Sequence, residues 1–157
     1  MVNAAGRRFG CNMISAISNL GQLQFMVFKG RFVASVFIEF LGRLLRTQVG
    51  RKVFLIVDSH PVHKASAVRR WIDADPGRSG RLKLYFLPGY SPHLNPDECL
   101  NQDTKQAMRK RRPRDQEEMM SGVRSHLHRR RKQPEVVRRF FHEKHVRYAA
   151  ATEENVN

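Results

Sequence analysis

The chain has 157 residues, the size of one ordinary domain, and 41% of them are hydrophobic, enough for a real core. Ten Phe and one Trp argue against a disordered chain. Lys and Arg number 29 against 14 Asp and Glu, so the net charge is +15, which attracts polyanions and points first to nucleic acid.

A membrane partner is disfavoured, because no stretch approaches the ~18 apolar residues of a spanning helix. The N-terminal "MVNAAGRRFG" has no apolar signal core. Cys11 and Cys99 stand in no metal-like spacing, and two isolated thiols suit a reducing compartment. A cytoplasmic protein is expected.

In chain order, two strands come first, at about residues 9–18 and 22–29, joined by the turn "SNLG". The period then changes. Val33, Val36, Phe37, Phe40, Leu41, Leu44 and Leu45 share one helical face, with Gly50 as the expected stop. "KVFLIVD" is almost wholly apolar and predicts a strand covered on both faces. "HKASAVRRWIDAD" predicts a helix with Ala65, Val68 and Ile72 inward, "PGRSG" a loop, and "RLKLYFLP" a second buried strand. Strand, helix, strand in this order predicts a right-handed parallel βαβ unit.

The segment "GYSPHLNPDECLNQDTKQAMRKRRPR" predicts a stiff loop opening into a helix that Pro113 closes. Another helix is expected over about 115–132, with Met119, Val123 and Leu127 on one face. Pro134 starts a third, with Val137, Phe140 and Phe141 inward. Residues 151–157 read as a frayed tail. The basic runs "RKRRPR" (109–114) and "HRRRK" (128–132) fall on these helices. They read either as solvated faces or, as a group, as a surface for phosphate.

Asp58 ends a buried strand, where sites form in open α/β sheets. It reads equally as an N-cap for the segment that follows. Glu98 has its own bland reading: Asn95 as N-cap, Pro96 as N1 and Glu98 as N3 make a capping box. Asp97 and Glu98 would also favour the helix dipole. The chemical reading is that Mg²⁺ takes a few carboxylates and leaves room for water and phosphate. Two ions about 4 Å apart suit phosphodiester chemistry inside a basic protein. Asp58-x-His60-x-x-His63 is a weak zinc pattern, because no third nitrogen or sulfur ligand lies at a suitable spacing. His63 reads better as a hydrogen-bond donor or phosphate contact near the site, and His60 as a residue shaping the turn before Pro61.

"FLIVDSHPVHKA" followed by "LYFLPGYSPHLNPDECLNQDTK" resembles the DDE transposases of bacterial insertion sequences in the mariner-like superfamily. The similarity runs from about Arg8 through "EKHVRYAA" (143–150), and "LPGYSPHLNPDE" is its most specific part. The resemblance implies an α/β, RNase H-like mixed sheet flanked by helices. It also implies cutting and joining of DNA at transposon ends with two Mg²⁺ or Mn²⁺ ions held by three acids. By motif, Asp58 matches the second acid and Glu98 the third. Asn95 and Pro96 match the loop that positions the third acid, and Asp97 is the alternative to Glu98.

The first acid has no match. Glu39 is the only acid before Asp58, and it stands in the helical "FIEFLGR". The expectation is therefore a truncated catalytic domain over 1–150, lacking its first, central strand, and inactive alone. Its partners would be DNA and a second copy or a full-length transposase. Lys64, Arg109, Lys110, Arg111, Arg112, Arg129, Arg130 and Arg131 are the candidate DNA contacts. The competing reading is a non-catalytic basic DNA-binding protein or a repressor of the full-length transposase. A hydrolase of small phosphoesters is disfavoured, since such substrates need no charge of +15.

Overall fold

A computed structural model describes residues 2–3, 10–89 and 91–150. The beginning of the first expected strand at residue 9, Tyr90 and the expected tail over 151–157 lie outside the described residues. The chain forms two compact units, one of residues 1–30 with 96–157 and the other of residues 31–95.

In the first unit, β1 (Val2–Asn3), β2 (Gly10–Ile17) and β3 (Leu23–Phe28) form an antiparallel sheet in the order β1-β2-β3. The expected hairpin is β2–β3, with Ile17 opposite Leu23 and Asn12 opposite Phe28. Gly21 takes φ +91° in its turn, a conformation that excludes most side chains. Three helices follow in the same unit: α4 (Asp97–Arg111), α5 (Gln116–Arg131) and α6 (Pro134–Phe140). Their expected inward residues are inward. Met119, Val123, Leu127 and Val137 are fully buried with Leu100, Met108, Cys11 and Leu23. Gly122 permits the close approach of α5 to α4, since a Cβ there would meet the Met108 sulfur at 2.9 Å. Arg112, in the left-handed region at φ 50°, ends α4 just before Pro113.

The second unit holds α1 (Ala34–Thr47), β4 (Val53–Val57), α2 (Ser66–Asp73), α3 (Pro76–Ser79) and β5 (Leu82–Phe86). Strands β4 and β5 pair in parallel, as the strand, helix, strand order predicts. Phe37, Phe40, Leu41, Leu44 and Leu45 of α1 are buried, and so are Val68 and Ile72 of α2. The α1 C-terminus is held by Arg81, whose guanidinium donates to the carbonyls of Leu45 and Gln48 at 2.9 and 2.6 Å.

Three expectations are corrected. The first is the cover on both faces of the apolar strands. Val57 and Leu82 are buried, but Phe54 is 61% exposed, Ile56 42% and Tyr85 50%. Alternation sends Phe54, Ile56 and Tyr85 to one side of the β4–β5 pair, and only the other side is buried. The second is "PGRSG", which is the one-turn helix α3 rather than a loop. Asp75 caps it by accepting from the Gly77 N–H at 2.7 Å, with Pro76 at the first helical position. The third is the capping box at 95–98. The N-cap of α4 is Pro96, with no side-chain cap hydrogen bond, and Asn95 stands one residue earlier with extended φ −98°, ψ 110°. The Asn95 N–H, which Glu98 would accept from in such a box, donates instead to the Pro92 carbonyl at 3.0 Å, and Glu98 accepts from Asn101 Nδ2.

Candidate active site

Asp58 directly follows the last residue of β4, at the carboxyl end of a parallel strand. Its carboxylate is 52% exposed. The turn after it is built from side chains. Asp58 Oδ1 accepts from the His60 N–H at 2.9 Å, and His60 Nδ1 accepts from the Val62 N–H at 3.1 Å. Both bonds are local side-chain to backbone bonds of the kind Asp and His make where a chain leaves a strand. They carry the backbone into a single 3₁₀ turn, Pro61–Lys64. His60 therefore shapes the turn, as its place before Pro61 predicts.

His63 folds back onto Asp58. Its Nδ1 lies 2.9 Å from Asp58 Oδ1 and 3.1 Å from the Asp58 carbonyl oxygen. With a hydrogen on Nδ1, the ring donates to Asp58. The ring packs against Phe37 and Phe32, with centroids 4.7 and 5.6 Å away. Burial lowers the His63 pKa below the ordinary histidine value, against the opposing pull of Asp58 and its carbonyl. A ring packed in this way and carrying its hydrogen on Nδ1 would hold Asp58 Oδ1 in one orientation. The N-cap of that turn is His60, so Asp58 does not cap it as its position allowed: it ties the exit from β4 through the His60 N–H, and its carboxylate stands at a strand end.

Glu98 belongs to the first unit, in the first turn of α4, and accepts from Asn101 Nδ2 at 3.1 Å. Asp97, beside it, is bound differently. Both its oxygens lie 2.8 Å from Ser15 Oγ of β2, which donates to them. The sequence gives no signal for this pairing, because residues 15 and 97 meet only through the tertiary fold. It ties α4 to the hairpin. Glu98 is the carboxylate in this turn without a bond to another element among those described. Glu39 is exposed on α1 and pairs with Arg43 at 2.6 Å, one helical turn away.

Among the described residues, no group of three His, Cys, Asp or Glu side chains is gathered closely enough to hold a metal ion. The donors that are present are of the right kind. Carboxylate oxygens, such as those of Asp58 and of Glu98, are hard donors that suit Mg²⁺ and Mn²⁺ better than zinc.

The basic residues divide into two sets. Arg109, Lys110, Arg111 and Arg112 are exposed at the end of α4, and Arg129 is exposed on α5. Lys64 is exposed as well, with its ammonium 5.2 Å from the Phe86 ring centroid. Arg130 is committed inside the unit. Its Nε and Nη2 donate to Asp103 at 2.7 and 2.9 Å, and its Nη1 donates to Gln133. Arg131 lies over the Phe25 ring at 4.6 Å and donates to the Leu23 carbonyl at 3.2 Å. The run "HRRRK" does not distinguish these from Arg129. The fold does, bringing His126 and Arg130, one helical turn apart, onto Asp103 of α4, while Arg131 stays exposed beside Phe25.

Residues 2–120 match the family model described as DDE superfamily endonuclease. The chain belongs to that family. Its fold is similar to a solved structure described as the Mos1 transposase paired-end complex with left transposon end, at TM-score 0.57 and 17% identity. The match covers 87% of this chain and 46% of that one, so the chain spans about half the length of the transposase it resembles. The architecture is accordingly RNase H-like, mixed α/β with small sheets flanked by helices. No curated protein matches the chain.

Proposed function

We propose that this chain serves metal-dependent cleavage and strand transfer of DNA at transposon ends, with Asp58 and Glu98 as its metal-ligating acids. The observation that carries this reading is Asp58. It is a half-exposed carboxylate at the end of a parallel strand, with His63 Nδ1 2.9 Å from one of its oxygens, in a member of the DDE endonucleases. Divalent ions bound by these acids would supply charge neutralisation at the scissile phosphate. His63 would keep the Asp58 carboxylate in one orientation, and the α4 cations with Arg129 and Lys64 would hold the phosphate backbone. Asn95 and Pro96 would set where α4 starts and so where Glu98 is presented. Asp97 is the less suited third acid, because Ser15 already holds both its oxygens.

The first acid is not supplied by residues 1–57. Glu39 is their only acid, and it is paired with Arg43 on a helix rather than placed on a strand. We therefore read this chain as part of a catalytic domain that draws its third carboxylate from outside residues 1–157. The source would be a longer transposase polypeptide or a partner copy in a mixed complex. Two carboxylates hold a metal pair weakly, so the chain alone is expected to leave DNA uncut.

The test is incubation of purified 1–157 with supercoiled plasmid and Mg²⁺ or Mn²⁺, beside Asp58→Asn. No nicking by either protein is the expected result, together with weak Mn²⁺ binding that Asp58→Asn reduces further. Nicking by the unmodified chain that Asp58→Asn abolishes would overturn the claim of incompleteness. Mn²⁺ binding identical in both proteins would remove Asp58 from the site.

A further inference from the structure

We propose that the groove between α2 and β5 binds a segment of single-stranded DNA, with its phosphates on Lys64 and Lys83 and its bases against Tyr85 and Phe86. The groove lies wholly within residues 63–86 and has a volume of about 650 Å³. Val68 and Ile72 from α2 and Leu82 and Leu84 from β5 give it an apolar floor. Its cations are Lys64, Arg69 and Lys83, and its acid is Asp73, which Arg69 faces at 3.7 Å. The balance is positive even with Arg69 and Asp73 set against each other.

The aromatic rings decide between ligands. Tyr85 is 50% exposed and Phe86 42%. A strand alternates its side chains, so Phe86 leaves β5 on the side of Leu82 and Leu84 and Tyr85 on that of Phe54, whose ring is 6.2 Å away. A single strand meeting both rings would cross the β5 edge and present different bases to each. Large exposed rings beside cations are the pairing that single strands use, since every base has a π-face and every phosphate a charge. A duplex keeps its base faces stacked inside and would use only the lysines. An acidic peptide laid along the β5 edge, unpaired among the described residues, would also use the lysines, but not the stacking capacity of Tyr85. The inference rests on the DNA-cutting reading above, because a cut or frayed transposon end is what supplies a single strand.

The experiment is fluorescence anisotropy of the full chain with a labelled oligothymidylate of about twelve nucleotides and with a duplex of the same length. Tyr85→Ala is expected to weaken the single-strand complex about tenfold and to change duplex affinity by less than about twofold. Tyr85→Phe should retain single-strand binding, since the ring and not the hydroxyl stacks. Far-UV circular dichroism of each variant checks the fold. Single-strand affinity unchanged by Tyr85→Ala in a folded protein overturns the inference. So does an oligoglutamate peptide that binds through Lys83 while Lys83→Ala leaves single-strand affinity intact. Binding of duplex without any binding of single strand removes the groove alone. Binding of neither removes the DNA reading on which it rests.

Discussion

Asp103 shows how a charged residue can be spent on structure inside a protein otherwise rich in free cations. Burial alone would raise its pKa, but hydrogen bonds from His126 and Arg130 outweigh that and hold the carboxyl far below the usual carboxylate range. His126 Nε2 lies 2.7 Å from Oδ2, and Arg130 grips both oxygens. His126 is buried and Arg130 only 22% exposed, so water screens the cluster little. A folded-state pKa below the unfolded one gives stability that is present above the ordinary carboxylate pKa, near 4, and lost as pH falls through the lower folded value. Asp103→Asn should therefore cost about 2 kcal/mol at neutral pH, the order of charge-assisted hydrogen bonds lost in a half-buried place. Urea unfolding at about pH 7 and again near pH 3 reads the difference. The gap between the two proteins should narrow at the lower pH, and a gap that stays constant would show that the ion cluster contributes nothing specific.

Among the elements, the β2–β3 turn is the most sharply constrained. Gly21 has φ +91°, and an added Cβ would stand 2.5 Å from the Pro134 carbonyl oxygen and 2.7 Å from the Pro134 Cβ. The hairpin turn thus packs directly on the first residue of α6. Gly30 has a similar φ of +83° with nothing within 4 Å of a Cβ. The pair separates two costs. Gly30→Ala should lose about 1 kcal/mol, from the backbone conformation alone. Gly21→Ala should lose about 3 kcal/mol, because overpacking against backbone adds to the strain. Equal losses in chemical denaturation would mean that the turn does not bear on α6. The hairpin itself was legible from "SNLG" and its flanking apolar runs, as were α1, α5 and the parallel β4–β5 pair from their periods. Which face of β4–β5 is covered was not legible. "KVFLIV" is apolar at every position but its first, and such a run cannot say how many layers will pack on it. The Ser15–Asp97 bond was equally hidden, since it joins residues 82 apart in sequence.

At the scale of the whole molecule, the charge of +15 is a count of residues, while DNA responds to the cations that reach its phosphates. The sequence nominated Asp58 and Glu98 as candidate active-site acids, because they stand in recognisable segments. It could not sort the arginines, because a charge run on a helix does not reveal which members turn inward. The structure sorts them: Arg109 and Lys110 are exposed on α4, whereas Arg130 is fixed to Asp103. Each exposed cation that meets a phosphate releases about one counterion on binding. Arg109→Gln and Lys110→Gln should each flatten the slope of log affinity against log salt by about 0.9 on duplex DNA, with little change in thermal stability. Arg130→Gln should do the reverse, lowering the melting temperature while leaving the salt slope unchanged within about 0.3. Titrations of one duplex at four salt concentrations, alongside thermal melts, would separate the two classes. If Arg130→Gln flattened the slope as much as Arg109→Gln, the Asp103 cluster would have to open when DNA binds. The basic run on α5 would then belong to the nucleic-acid surface as a whole.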